Sequence, residues 1–583
     1  MYPILSSNIL LLLVVQIHSV LGYSIPQHAV LPLARALAID VIRNGFTYGS
    51  PVGGGPYYPA GLVGLAKVAV DVTAEEMESA AELALTTTDE VTATAPGIGK
   101  VYNGLDSVND YTLLYDGEWT RTLPKGPAPG VLTNYSQDLF FSMERLANAA
   151  FSVERLTPGT LLPFDINDAT AKNITGSTLA ELLAAGRLFY ADHSDQASLA
   201  TTTDKYGAAC SAYFYIASSG DFLPLAIRTN VGADLIYTPA DSSEDWLLAK
   251  ILFNINDFFY HQTYHLAATH EVIQISWMAA IRTLSIEHPV YGLLNRLTYE
   301  VFAINPLAST LLFADGGFFD QLLPFTGAAA EGYNTDLYFN GSGSFQANYF
   351  QTNLQTRGLI NPAVGPELTS FPYYEDASVI YAALETFMTA FVKSYYTSDS
   401  VVKADTELQA WASEANGEAG MIDFPTSITT VDQLVDILTH FAHLSSTVHH
   451  AINTNELLSL SATFPMHPGA LYQPLPTTKG KTSVVEFLPP LYKVLVQFEL
   501  EALFARPLLA NSSRSLLNMF NDSTFLSATN TATRTAAAIF TSSMKAFSEK
   551  VQIRTFDDDG LCQGMPFVWQ ALDPAVAPYS VTI

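Results

Sequence analysis

Between Trp246 and Leu297, and again between His440 and Asn453, this chain gathers residues able to hold a metal ion. His261, His265 and His270 stand within ten residues, embedded in Leu, Ile, Phe and Ala, with His288 just beyond. His440, His443, His449 and His450 form a second group, followed by Asn453; together the two stretches take eight of the twelve histidines. An imidazole is costly to bury without a partner, so buried histidines hydrogen-bond or bind metal. Two satisfied core histidines would be the ordinary reading of either group alone.

The spacing adds information. His261 and His265, four apart, share a helical face. His265 and His270 are five apart and stand about 140° apart on a regular helix. One π-bulge would absorb the extra residue and bring both to one face, and such bulges gather at functional sites. His449 and Asn453 are a second i,i+4 pair, which His450 lacks, and His440 and His443 read as structural. Two facing helices would thus offer three imidazoles and an amide oxygen. That donor set suits iron or manganese better than zinc, which prefers four tetrahedral ligands.

Several motifs in the same order now carry a resemblance: Trp246-Leu-Leu-Ala-Lys250, His265-x4-His270, Leu284-Ser285-x-x-His288-Pro289, His449-x3-Asn453 and the terminal Ser580-Val-Thr-Ile583. Together they resemble the lipoxygenase family, over a stretch from about Leu188 to the last residue. The resemblance implies one non-haem metal held by His265, His270, His449, Asn453 and the Ile583 carboxylate, with water or hydroxide as sixth ligand. It implies a dioxygenase that removes a hydrogen atom from a cis,cis-1,4-pentadiene at that hydroxide and adds O2, giving a hydroperoxide of linoleic or linolenic type. No further catalytic side chain is expected. The family pattern places a His–Gln pair one residue upstream of His261-Gln262, so His261 is not expected to be a ligand. Glu456 stands where the family often has an amide.

Ile304, Ala308 and Leu312 share an apolar helical face, which core packing alone would explain. The resemblance makes the stretch a substrate channel. Leu312 would clamp the pentadiene, and Ala308 would fill the position where Ala rather than Gly is associated with S products. Phe313 and Phe325 are further channel residues, and Arg506 or Arg514 would meet the fatty-acid carboxylate.

The elements around these residues follow from composition. With 583 residues, 49% hydrophobic and 14% charged, the chain can fill a large interior. Its formal net charge of −29 argues against nucleic acid and anionic membranes as partners. Helices are expected over 73–88, 244–286, 288–303, 305–313, 373–396, 405–414, 430–460, 484–509 and 530–550. Tyr213–Ile216 and Phe222–Arg228 read as a hairpin across Gly220-Asp221. Pro51-Val-Gly-Gly-Gly-Pro56 and Pro124–Gly130 read as loop punctuation. No run of alternating strands precedes the helices. The expectation is therefore a mainly α fold: one large helical catalytic domain, residues 23–583, around a long central helix with a small β-sheet and no N-terminal β-barrel. In this it is similar to the secreted lipoxygenases of fungi.

Residues 1–22 read as a secretory signal, with an apolar core at 9–17 too short to span a bilayer. The sequons at Asn134, Asn173, Asn340, Asn511 and Asn521 agree with secretion and glycosylation. Cys210 and Cys562 permit a disulfide without requiring one. The expected partners are a polyunsaturated fatty acid and O2, with no nucleic acid, no stable membrane anchor and a monomeric chain. One manganese is preferred over one iron, on the signal and the missing barrel. The rival readings are an iron lipoxygenase, a hydroperoxide-converting enzyme and an inactive secreted lipid-binding protein.

Overall fold

The computed structural model describes residues 22–93, 107–115, 128–452, 464–480, 483–490, 493–494, 496–497 and 512–581. Asn453, Glu456, Arg506, Asn511, Ile583 and almost all of the expected signal lie outside these residues. A long central helix, α3, organises what is described. It runs Ser243–His265, passes through a π-turn at Leu266–His270 and continues Glu271–Thr283. Ser242 caps it by accepting from the Asp245 amide, and Glu244 and Asp245 complement the dipole in its first turn. Almost every residue of α3 is buried, which marks it as a core helix with no solvent face.

Before α3 come helices α1 (Pro32–Gly45) and α2 (Gly61–Ala93), joined through a short antiparallel pair, β1 (Thr47–Gly49) and β2 (Tyr58–Ala60). A five-stranded antiparallel sheet then follows in the order β3 (Val153–Arg155), β4 (Leu188–Asp192), β5 (Ser211–Ile216), β6 (Phe222–Arg228) and β7 (Ile236–Tyr237). The expected hairpin is its β5–β6 pair, with Ile216 opposite Phe222. After α3 come α4 (Pro289–Leu297), α5 (Ile304–Leu311), α6 (Pro372–Tyr395), α7 (Thr406–Asn416), α8 (Val431–His443, then a π-turn at Leu444–Val448, then His449–Ile452) and α9 (Thr531–Gln552). The sheet and helix set is the expected mainly α architecture. Among the described residues before β3 the only strands are β1 and β2.

Three helix expectations change. The helix expected over 288–303 ends at Leu297: Thr298 leaves the helical region with φ −110° and ψ 33°, and Glu300 beyond it is left-handed with φ 57°. The one expected over 484–509 opens as Val484–Phe487, breaks, and is helical again at 493–494 and 496–497, with 498–509 outside the described residues. Pro489-Pro490 follow, and the residue before a proline avoids the helical region. The one expected over 73–88 begins twelve residues earlier, at Gly61.

The family-like motifs of α3 prove to be clamps. Lys250 Nζ donates to Ser136 O at 2.6 Å and Asp138 Oδ1 at 2.9 Å, and Trp246 Nε1 donates to the same Oδ1 at 2.7 Å. One carboxylate thus fixes two residues a turn apart. After α3, His288 Nδ1 accepts from the Val290 amide at 3.1 Å while Nε2 meets Asp405 Oδ2 at 3.1 Å, so that histidine caps α4. Cys210 and Cys562 are both buried and unpaired, and burial raises both thiols.

Candidate metal centre

His265, His270 and His449 come together. One ring nitrogen from each lies within 4.8 Å of the others, and all three residues are buried. His270 Nε2 and His449 Nε2 are 2.9 Å apart. The ring centroids stand 5.2 Å apart for His265–His270, 5.6 Å for His265–His449 and 4.7 Å for His270–His449. The π-turn at Leu266–His270 turns the five-residue spacing into a shared face. The second π-turn, at Leu444–Val448, ends at His449, and the two irregular turns pack on each other. Hydroxyls bond back to the carbonyl four residues earlier at each bulge: Thr269 Oγ1 donates to His265 O at 2.5 Å, and Ser446 Oγ to Ala442 O at 2.6 Å.

Burial sets the protonation. His265 is pushed down to about 3, and burial with His265 beside it holds His270 well below its usual range. Both rings stay neutral and keep a lone pair to offer. Neutral imidazole nitrogens converging on one point, away from water, fit a first-row metal ion. The described donors are all nitrogen.

The remaining histidines are placed otherwise. His261 Nδ1 donates to Asp257 O at 2.8 Å, and the ring stays outside the cluster. Gln262 Nε2 reaches Ile452 O at 3.5 Å and ties α3 to α8. His440 packs against Phe345 and Tyr349, and His443 against Phe350 and Tyr381. His440, His443 and His450 are fully buried and held neutral by that burial.

The expected channel residues meet in a separate apolar cluster. Ala308, Phe313 and Phe325 are buried there with Phe258, Phe259 and Leu266, while Leu312 packs at its edge half-buried. Leu266 follows His265 directly, so the cluster abuts the histidines. Arg514 does not face a channel. It is buried, with Nη1 paired to Glu78 and 3.4 Å from Glu300 Oε2, and its guanidinium lies over Tyr299. Of the described sequons, Asn173, Asn340 and Asn521 are exposed. Asn134 is the exception: its Nδ2, the atom a glycan would need, donates to Pro566 O at 2.7 Å.

Sequence reasoning missed one supporting device. The Gly53–Gly55 run, read as punctuation, presses onto α3 beside His270. Gly55 has φ 78°, and a Cβ there would overlap the Glu271 carboxylate. Burial raises that carboxyl well above its usual range, and its Oε1 accepts from Asn305 Nδ2 at 3.1 Å. The only signal in the sequence is the bare glycine triplet between prolines. Gly55→Ala combines a disfavoured φ with an overlap, so a loss of at least about 2 kcal/mol is expected. A thermal scan together with metal content would show both falling.

Residues 165–555 match the lipoxygenase family model. The chain belongs to the lipoxygenase family. It is 45% identical over 486 residues to a protein named manganese lipoxygenase from Colletotrichum gloeosporioides, covering 83% of this chain and 80% of that one. A manganese lipoxygenase of Nakataea oryzae is 43% identical over 571 residues, covering 96% and 92%. The solved structure of a manganese lipoxygenase superposes with a TM-score of 0.94 at 40% identity, covering 97% of this chain and all of the other. The lipoxygenase chain is a dioxygenase with the fold expected from its sequence.

Proposed function

We propose that this lipoxygenase is a secreted manganese enzyme that adds O2 to polyunsaturated fatty acids of the linoleic and linolenic type, giving hydroperoxides. The convergence of His265, His270 and His449 carries the proposal. Asn453 and the Ile583 carboxylate are proposed to complete the ligand set. The extent of likeness to the manganese relatives favours manganese over iron. When bound, a redox-active metal of this kind supplies the one-electron chemistry needed to activate a bis-allylic C–H bond.

The chain's own residues supply the rest. Burial keeps His265 and His270 neutral, so they are open to coordinate across the working pH range. The cluster around Ala308, Phe259, Phe313 and Phe325 offers the hydrocarbon tail an apolar bed and excludes water from radical chemistry. Leu312, at the edge of that bed, is proposed to press on the pentadiene. Secretion rests on the signal-like residues 1–22 and on the three exposed sequons.

Plasma mass spectrometry of the purified protein, paired with oxygen uptake on linoleic acid, tests the proposal. About one manganese per chain with rapid uptake is the expected result. One iron would reassign the metal, and a folded, metal-free, inactive protein would favour lipid binding alone. Ala308→Gly is expected to raise the R share of the product or move the oxygenated carbon. Chiral chromatography giving an unchanged product would discard the role assigned to Ala308.

A further inference from the structure

Among the described residues, ten of the nineteen exposed large apolar side chains fall between Val30 and Met77. They are not scattered. On α1 they are Leu33, Leu37 and Val41, at i, i+4 and i+8, with Leu33 87% exposed. On α2 they are Leu62, Leu65, Val70 and Met77, with Leu62 84% exposed and with Ala66 and Ala69 exposed between them. That is one helical stripe per helix, and α1 and α2 pack side by side.

Three acidic or basic side chains of the same helices are instead buried. Arg35, on α1, is buried and gives its Nε and Nη2 to the Glu407 carboxylate at 2.5 and 2.9 Å. Asp71, on α2, is buried against Lys67 at 2.5 Å and the Phe302 amide at 3.4 Å. Glu75 is buried one turn on. Each helix thus turns an apolar stripe outward while burying charge against the protein, with Asp40, Arg43 and Glu76 left exposed. Contiguous apolar surface of this kind marks an interaction site.

We infer that the outer face of α1 and α2 docks on a neutral lipid surface. Two helices lying side by side with apolar outer stripes suit an apolar boundary, into which such helices sink in plane. The charges select among boundaries. The basic residues near the stripe are already held, Arg43 by Glu414 at 2.7 Å and Lys67 by Asp71, while Asp40 and Glu76 are exposed. Nothing there attracts anionic headgroups. A second copy would bring another net charge of −29 against the first. No described helix is long and apolar enough to cross a membrane, so this is a surface attachment.

The position gives the attachment a use, and here the inference rests on the fatty-acid reading. Helix α2 packs on α5, which carries Ala308 in the apolar cluster and Leu311 on the outside. A fatty acid leaving the lipid surface at this face would meet the segment proposed to receive it.

Flotation of the full-length metal-loaded protein with phosphatidylcholine vesicles tests the inference. The wild type should float, in low and high salt alike, and gain nothing from added phosphatidylserine. Leu33→Glu/Leu62→Glu/Leu65→Glu should stay in the dense fraction, since each buried leucine is worth about tenfold in partitioning. Its oxygen uptake with monomeric linoleate should match the wild type, which also shows that it is folded. A wild type that does not float would overturn the inference, as would a variant that floats equally well. A wild-type dimer that the substitutions convert to monomer would assign the face to a second copy instead. If the protein floats but takes up no oxygen, the docking stands and the dioxygenase reading fails.

Discussion

His270→Ala is expected to give a folded protein that has lost its metal and its oxygen uptake together. His270 sits at the last position of the π-turn, its Nε2 2.9 Å from that of His449, and α3 is held in place by other groups. Asp138 clamps its first turns, and Gln262 ties its middle to α8. Removing this imidazole leaves two of the three converging rings. Changes in the outer shell of a metal site typically cost roughly 10–100-fold, and loss of a ligand should exceed that. His443→Ala is the informative control. It is equally buried and equally neutral, but it faces Phe350 and Tyr381 rather than the cluster. Plasma mass spectrometry should find metal retained in His443→Ala and lost in His270→Ala, with matching circular dichroism. Metal retained in both would sink the ligand assignment.

The contrast between those two histidines also shows what could be read in advance. The five-residue gap from His265 to His270 demanded an irregular turn if both were to share a face, and the π-turn lies there. The second π-turn was not legible. Only one residue of the cluster, His449, comes from α8, so no pair spans Leu444–Val448 to betray a shift in phase. Its local support, the Ser445-Ser446 hydroxyls bonding to Ala442 O, looks in sequence like any polar stretch. The early stop of α4 is similar. Glu300 is an ordinary helix former, so no residue type at that position announces its left-handed backbone. Gly53–Gly55 announced a turn but not that the turn abuts Glu271. Pattern reveals period and chemistry along the chain, whereas contacts between residues more than two hundred positions apart leave no periodic trace.

Charge placement was the least legible of all, and it carries the second large effect. Arg145→Met is expected to destabilise the fold by about 3–5 kcal/mol, the usual consequence of stripping one partner from a buried ionic group. Arg145 is fully buried. Its Nη1 donates to Glu144 Oε2 at 2.5 Å and to Phe141 O at 2.7 Å, and its Nη2 lies 3.1 Å from Asp257 Oδ2. The guanidinium also lies over Phe141 and Phe253. Burial alone would raise the Asp257 carboxyl, but Arg145, His261 and His193 outweigh it and hold the group far below its usual range. Asp257 stands two turns before His265 on α3 and accepts from His193 at 2.9 Å, while its carbonyl accepts from His261. Methionine keeps most of the volume and removes the charge, leaving two buried carboxylates near each other. In a chain this long the unfolding entropy is roughly 1.2 kcal/mol per kelvin, so the Tm should fall by only about 3 °C. A double-mutant cycle separates charge from packing. Arg145→Met/Asp257→Asn should recover part of the loss, because the second change removes one stranded carboxylate. If the double variant is less stable than the single one by the full cost of Asp257→Asn alone, Arg145 acts through packing, and the buried charge pair contributes nothing of its own to holding α3 behind the histidines.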